Sequence, residues 1–254
     1  MPTSIRAVTF DVGGTLIEPW PSVGEIYAEV AARFGLGNIA PEALNRQFAA
    51  AWKTRRHFDY SRLAWQELVN QTFAGLLPGP LSTSCFAAIY EQFGDARSWR
   101  VFDDVRPTLA DPKARGLQLG LISNWDERLR PLLSQLQLTL PFNALVISHE
   151  VGQTKPAPGI FRRASALLGL APELILHVGD SAIEDVGGAE AAGMPALLLD
   201  RSASATNTAE LSSLGRLMAT LDKGFGPFPQ RSGLESALIL PSPRTGGGRT
   251  PNAQ

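Results

Sequence analysis

Cysteine is nearly absent from this 254-residue chain: Cys85 is the only one. No intrachain disulfide can form and no cysteine-based zinc site can close, so Cys85 reads as a small buried hydrophobe. Excess charge is missing too, since 23 Lys and Arg against 24 Asp and Glu give a formal net charge of −1. That balance offers no electrostatic footprint for nucleic acid or for an anionic membrane surface. Long apolar runs are lacking. Pro195–Leu199 and Ala237–Leu240 fall far short of the ~20 residues a membrane span requires. The opening MPTSIRAVTFDVGG has no cationic segment leading into an apolar stretch and a small-residue cleavage site, so no signal peptide is expected. No repeat appears at solenoid or propeller periods. The expectation is a soluble, cytoplasmic protein, long enough to bury a core without disulfide or metal staples. Its oligomeric state is left open.

What is present is a rhythm of short apolar runs: Ala7–Phe10, Leu117–Ile122, Ala144–Ile147, Leu174–Val178 and Ala196–Leu199. They do not alternate with polar residues, as expected of strands covered on both faces. Helical patterns fill the gaps, for example Leu129, Leu132, Leu133 and Leu136. Strands alternating with helices predict an α/β fold with a three-layer, Rossmann-like parallel sheet core. Between Trp20 and Trp99 the pattern changes. Ile26, Tyr27, Val30, Ala31 and Phe34 share a helical face, as do Leu44, Phe48, Ala51 and Trp52, and then Trp65, Leu68, Val69 and Phe73. The prediction is a core of residues 1–18 and 100–222, with an inserted all-helical cap at 19–99. Placed after the first strand, such an insertion stands over the crevice where α/β sheets bind ligands. Leu211, Leu214, Leu217 and Met218 suggest a last helix, and the Gly-, Pro- and Ser-rich segment 223–254 is expected to be mostly disordered.

Polar residues stand just past these runs, where a parallel sheet gathers a site. Asp11 is followed by Val12-Gly13-Gly14-Thr15, Ser123-Asn124 follows LGLI, Lys155 lies in GQTKPAPGIF, and Asp180 and Asp185 lie in HVGDSAIED. Taken singly, each has an ordinary explanation as a cap, turn or solvated loop residue. Together, in order and across residues 5 to 222, they resemble the motifs of the haloacid dehalogenase-like hydrolase superfamily, in a form with a helical cap after the first motif.

The resemblance implies Asp11 as nucleophile and Mg2+ as cofactor, held by Asp11, the Gly13 carbonyl, Asp180 and Asp185. It implies that Ser123 and the amide of Asn124 donate to phosphate oxygens and that Lys155 supplies charge to Asp11 and the phosphoryl group. The partner implied is a small phosphorylated molecule. The chemistry is reasonable, because a carboxylate attacks a phosphoryl group only when cations neutralise both, and hard carboxylate oxygens suit Mg2+. Asp185 would hold a metal-bound water or orient Lys155. Glu184 is expected to face solvent, and His57, His149 and His177 to be structural or surface residues.

One position departs from the pattern. Phosphatases of the superfamily carry a second Asp two residues after the nucleophile, and here that residue is Gly13. General acid–base help of this kind is worth about 10²–10⁴ in rate. Three readings follow: a phosphatase-like hydrolase of good leaving groups or one borrowing another proton donor; a phosphonate-cleaving enzyme using Lys53, the lysine of the cap; or a catalytically silent phosphate-binding or regulatory protein. Dehalogenation fits less well, because both Asp180 and Asp185 are retained. Trp20, Trp52, Arg55, Arg56 and Tyr60 are candidates to face the substrate from the cap.

Overall fold

The computed structural model of the protein describes residues 5–55, 58–202 and 210–222. Six strands form one parallel sheet in the order β5-β4-β1-β6-β7-β8: β1 Ala7–Phe10, β4 Gln118–Ser123, β5 Ala144–Ile147, β6 Ile175–Gly179, β7 Ala196–Leu199 and β8 Glu210–Leu211. The chain runs from β1 outward to β4 and β5, then returns to lay β6 against β1's other edge. That reversal beside β1 opens a crevice at the carboxyl ends of the strands. Two further strands, β2 Ile17–Pro19 and β3 Trp99–Val101, pair antiparallel apart from the main sheet.

The unalternating strands are covered on both faces. Val8, Phe10, Leu119, Leu121, Leu176 and Val178 pack into one layer, with helices α5 Val105–Ala114 and α6 Leu129–Gln135 and the final helix α10 Leu217–Asp222. Ala7, Ile122, Val146, Ile160, Phe161 and Ile175 form the opposite layer, against α8 Pro158–Leu168 and the short α9 Gly188–Ala191; α7 Ser148–Val151 follows β5 directly. Proline at the first position of α8 and left-handed Gly169 after its end mark where that helix begins and stops.

Residues 23–92 hold four helices: α1 Val23–Arg33, α2 Pro41–Thr54, α3 Arg62–Phe73 and α4 Thr83–Gln92. Serine hydroxyls at Ser22, Ser61 and Ser82 accept the first free N–H groups of α1, α3 and α4. Their apolar faces build a separate core of Tyr27, Val30, Leu44, Val69, Phe73, Cys85, Phe86 and Ile89. Tyr27 stacks on Phe73 at 5.7 Å between ring centres. Among the described residues no helix is long and apolar enough to cross a membrane.

Several details differ from the sequence pattern. The β2–β3 ribbon was not foreseen, because three residues per strand are too few to display alternation; it is tied by the Arg100–Glu18 ion pair. Leu211 lies in β8 and Leu214 in a 3-10 turn, so only Leu217 and Met218 belong to the last helix. All four face one core, and a chain that changes from strand to helix while facing one core mimics helical spacing. Phe34 caps α1 and is 40% exposed. The segment 223–254 lies outside the described residues.

Asp104, just before α5, ties the far side of the sheet together. It accepts both guanidinium arms of Arg201 at 3.0 Å, the Ser213 hydroxyl at 2.7 Å and the Leu214 N–H at 2.9 Å. Arg201 also donates to the Thr15 carbonyl at 2.7 Å, bracing the loop after β1 from behind. Burial alone would raise the Asp104 pKa, but Arg201 and Ser213 outweigh it and hold it below the ordinary carboxylate range. We expect Asp104→Ala to cost about 1.5–3 kcal/mol at neutral pH in urea denaturation. A carboxylate with a lowered folded pKa stabilises above its unfolded value of ~3.9 and loses that contribution as pH falls through the folded value. The gap between wild type and variant therefore closes in acid; a gap independent of pH would show that the ionised carboxylate is not the cause.

Candidate active site

Strand order brings the sequence-predicted residues to one point. Asp11 continues from β1, its N–H donating to the Val178 carbonyl of β6 at 2.9 Å. Ser123 ends the neighbouring β4, and its hydroxyl donates to Asp11 Oδ1 at 3.0 Å. Asp180 follows β6 on the other side. Lys155 enters from the loop between α7 and α8, and its ammonium donates to Asp11 Oδ1 at 2.6 Å and to Asp185 Oδ1 at 2.5 Å. Asp185 itself rides on a π-helical turn, Ala182–Gly187, that opens the connection to α9; such turns recur at functional sites.

Two glycines make room for these carboxylates. Gly14 has φ +76°, and a Cβ there would lie 2.2 Å from Asp180 Oδ2. A Cβ at Gly179 would lie 2.1 Å from the carboxyl carbon of Asp185. The backbone thus approaches each acid more closely than any side chain allows.

Three carboxylates share this buried place with one ammonium. Oxygens of Asp11, Asp180 and Asp185 all lie within 4.8 Å of one another. Burial raises the Asp11 pKa, with Lys155 opposing. Asp180 is raised well above the usual range by burial and by the charges of Asp11 and Asp185. For Asp185 burial pushes upward, but Lys155 and His177 prevail and the carboxyl is held far below the ordinary range. Lys155 in turn is raised, as Asp11 and Asp185 overcome the desolvation that would lower it. Asp180 is the acid without a cation: its one described side-chain hydrogen bond is from Thr15 at 3.5 Å. A hard divalent cation fits this donor set, since it would offset the surplus negative charge that burial makes costly.

The side chain of Asn124 has a different task from the one expected. Its Oδ1 accepts the Lys155 N–H at 2.6 Å, and its Nδ2 donates to the Lys155 carbonyl at 3.1 Å and to Glu184 at 3.2 Å. It clamps the lysine's backbone, so the side-chain amide is not free for a ligand. Gly13 sits half-buried, and a Cβ built there would press to 3.3 Å from Trp125 Cζ3, closer than ordinary van der Waals contact.

Glu184 does not face solvent as expected. Its carboxylate accepts from Asn124 and from Arg55, the latter at 3.1 Å, joining the end of α2 to the sheet's crevice. Arg55 lies 3.7 Å over the Trp52 ring, which stacks on Phe48 and Trp65 in an aromatic cluster. Buried Tyr60 has φ +62°, rare for a bulky residue, and its hydroxyl pKa is raised by burial and by Glu184. Trp20 is 45% exposed and stacks on Arg100 away from these residues. Arg56 and His57 lie outside the described residues, and His149 is exposed.

His177 is structural, yet it belongs to the acid cluster. Its Nε2 lies 3.1 Å from Asp185 Oδ1 and its Nδ1 3.0 Å from the Thr9 hydroxyl. A carboxylate can only accept, so Nε2 carries the proton. Thr9 and His177 are register partners on adjacent strands. A polar pair at matching positions of two apolar strands was the available signal, but only strand pairing makes it visible.

A family model described as haloacid dehalogenase-like hydrolase matches residues 5–193. Human haloacid dehalogenase-like hydrolase domain-containing protein 3 is 34% identical over 206 residues, covering 77% of this chain and 82% of its own. Phosphoserine phosphatase of Thermus thermophilus is 38% identical over 110 residues, 43% of this chain and 44% of its own. A solved structure of a HAD phosphatase from Thermococcus onnurineus matches with a TM-score of 0.62 at 26% identity, over 85% of this chain and 98% of that one.

Removing the His177 donor leaves a buried carboxylate short of a partner, at about 1–3 kcal/mol. We expect His177→Phe to lose stability on that scale in urea denaturation and His177→Gln, which can still donate, to lose less. Equal losses would place the effect in packing against Phe161 rather than in the hydrogen bond.

Proposed function

The chain belongs to the haloacid dehalogenase-like hydrolase family, and from that premise we propose that it is a Mg2+-dependent hydrolase of small phosphorylated molecules, with Asp11 as nucleophile. The observation that carries the reading is the Lys155 ammonium held between Asp11 and Asp185, beside the uncompensated carboxylate of Asp180. The phosphatase names borne by the Thermus and Thermococcus relatives support the substrate class.

In this reading Ser123 and Lys155 both engage Asp11 Oδ1, and no described side chain donates to Oδ2. Oδ2 is therefore the attacking oxygen. It forms a bond to phosphorus as the bond to the leaving oxygen breaks, giving an aspartyl phosphate and a departing anion that takes its proton from water. Water then attacks phosphorus, releasing inorganic phosphate and restoring the carboxylate. Lys155, through the ammonium proton not given to Asp11 or Asp185, and the backbone N–H of Asn124 steady the transferring oxygens, while the single Ser123 hydroxyl proton holds Asp11 Oδ1 in place. Asp11, Asp180 and the Gly13 carbonyl are the groups that would hold the cation. When bound, it supplies the positive charge against which carboxylate and phosphoryl group can meet. Asp185 has Oδ1 committed to Lys155 and His177 and Oδ2 to the Ser181 N–H. It acts from behind, fixing Lys155.

The helices of residues 19–99 form the cap of this reading, over a core of residues 1–18 and 100–222. The Arg55–Glu184 pair supports that placement, because it joins α2 to the turn that bears Asp185. Phosphonate cleavage through Lys53 finds less support: Lys53 is exposed at the end of α2 and has no ion-pair partner among the described residues.

Phosphate release from acetyl phosphate and aryl phosphates is expected to require Mg2+, to cease with EDTA, and to fall at least about 10³-fold in Asp11→Asn. Turnover that survives in that variant, or without a divalent cation, would overturn the assignment.

A further inference from the structure

Thr9 and His177 are polar residues, fully buried in strands that are otherwise apolar, and the proposed chemistry makes no direct use of them. Thr9 stands between Gly120 of β4 and His177 of β6, its register partners on either side. A Cβ built on Gly120 would lie 3.0 Å from the Thr9 methyl, so that side of the branched side chain is already filled to contact. The hydroxyl lies 3.0 Å from His177 Nδ1. Phe161 meets the imidazole nearly at right angles, with ring centres 5.2 Å apart, and so fixes the plane of the ring. Nε2 carries the proton given to Asp185, which leaves Nδ1 to accept the one hydroxyl proton of Thr9. The other acceptor in reach of that hydroxyl, the Leu176 carbonyl, is farther away at 3.4 Å.

The path continues to the nucleophile. His177 Nε2 lies 3.1 Å from Asp185 Oδ1, that same oxygen accepts from the Lys155 ammonium at 2.5 Å, and the ammonium donates to Asp11 Oδ1 at 2.6 Å. Four hydrogen bonds thus leave β1 at Thr9 and return beside it at Asp11, two residues on. Every residue on the path is buried, with Asp11 the most accessible at 7%. Asp185 Oδ1 is therefore a shared acceptor. Two donors on one carboxylate oxygen divide its charge, and removing one leaves that charge to the other. Without the His177 proton, Asp185 would draw the ammonium toward itself and away from Asp11. Its Oδ2 is held by the Ser181 N–H at 3.0 Å, so the carboxyl is not free to turn and compensate. We infer that Thr9 and His177 are positioning residues for the hydrolysis: they occupy part of the Asp185 carboxylate, so that the Lys155 ammonium stays divided between Asp185 and the nucleophile. The inference rests on the roles proposed for Asp11 and Lys155, and it goes beyond the stability that His177 lends the fold.

The test is steady-state hydrolysis of acetyl phosphate with Mg2+ by wild type, His177→Phe, His177→Gln, Thr9→Val and Thr9→Ser. Each is assayed at a temperature where circular dichroism shows it folded, so that lost stability alone leaves kcat unmoved. In His177→Phe, kcat is expected to fall about 10- to 100-fold, the usual scale for a residue that orients a site group from behind. In Thr9→Val the expected fall is about 2- to 12-fold, the scale of one hydrogen bond. KM is expected to move less than kcat, because neither residue reaches the substrate. His177→Gln and Thr9→Ser keep the donors and are expected to recover much of each loss. Long-range proton–nitrogen correlation spectra of wild type are expected to show His177 protonated at Nε2. Unmoved kcat in folded His177→Phe and Thr9→Val would overturn the positioning role while leaving Asp11 in its own. So would equal losses in His177→Phe and His177→Gln, or an Nε2 without its proton. Should His177→Phe fail to fold, Thr9→Val, nearly the same in shape as wild type, decides the matter. No phosphate released by wild type would overturn the nucleophile assignment and the positioning role with it.

Discussion

Lys155 is buried to 4% exposure, where desolvation favours the neutral amine, and it stays charged because Asp11 and Asp185 grip its ammonium. Much of the surrounding structure serves that grip. Asn124 holds the lysine by its backbone N–H and its carbonyl, His177 steadies Asp185, and Gly179 lets the carboxyl of Asp185 lie against β6. Removing any one partner would strand a charge in a region of low dielectric, where unpaired ions are costly. The cluster is therefore an electrostatic unit, not a set of separable residues.

That unit remains unbalanced, with three carboxylates about one ammonium. The raised pKa values of Asp11 and Asp180 express the same imbalance from the side of protons. A hard divalent cation among these carboxylates would offset it. Here the residues that stay strongly ionised, Lys155 and Asp185, lie behind, while the destabilised acids face the crevice.

The α1–α4 helices have a core of their own, and the residue that ends α2 reaches Glu184, one position before Asp185. Arg55 bridges to Glu184, and Glu184 is bonded to the same Asn124 that clamps Lys155. An unbroken chain of polar contacts thus runs from α2 to Asp11. The aromatic cluster of Trp52, Phe58, Tyr60 and Trp65 holds Arg55 in place from one side. Any ligand entering beside Glu184 meets that pair.

Local pattern determined the α/β class, the runs that become β1, β4, β5, β6 and β7 and the apolar faces of α1, α2 and α3, and the motif order shared with a known family singled out Asp11, Ser123, Lys155, Asp180 and Asp185. Those features follow from hydrophobic period and from residues that punctuate strand ends, both of which are written in consecutive positions. Tertiary structure decided the rest. Glu184 turns inward because Asn124 and Arg55, 60 and 129 residues away, converge on it. His177 joins the acids because β6 pairs with β1 in one register, and Asn124 is spent on Lys155 because β4 ends where the loop after β5 passes. Gly13 comes against the Trp125 indole for the same reason: adjacency between loops is set by strand order, and no spacing along the chain encodes it.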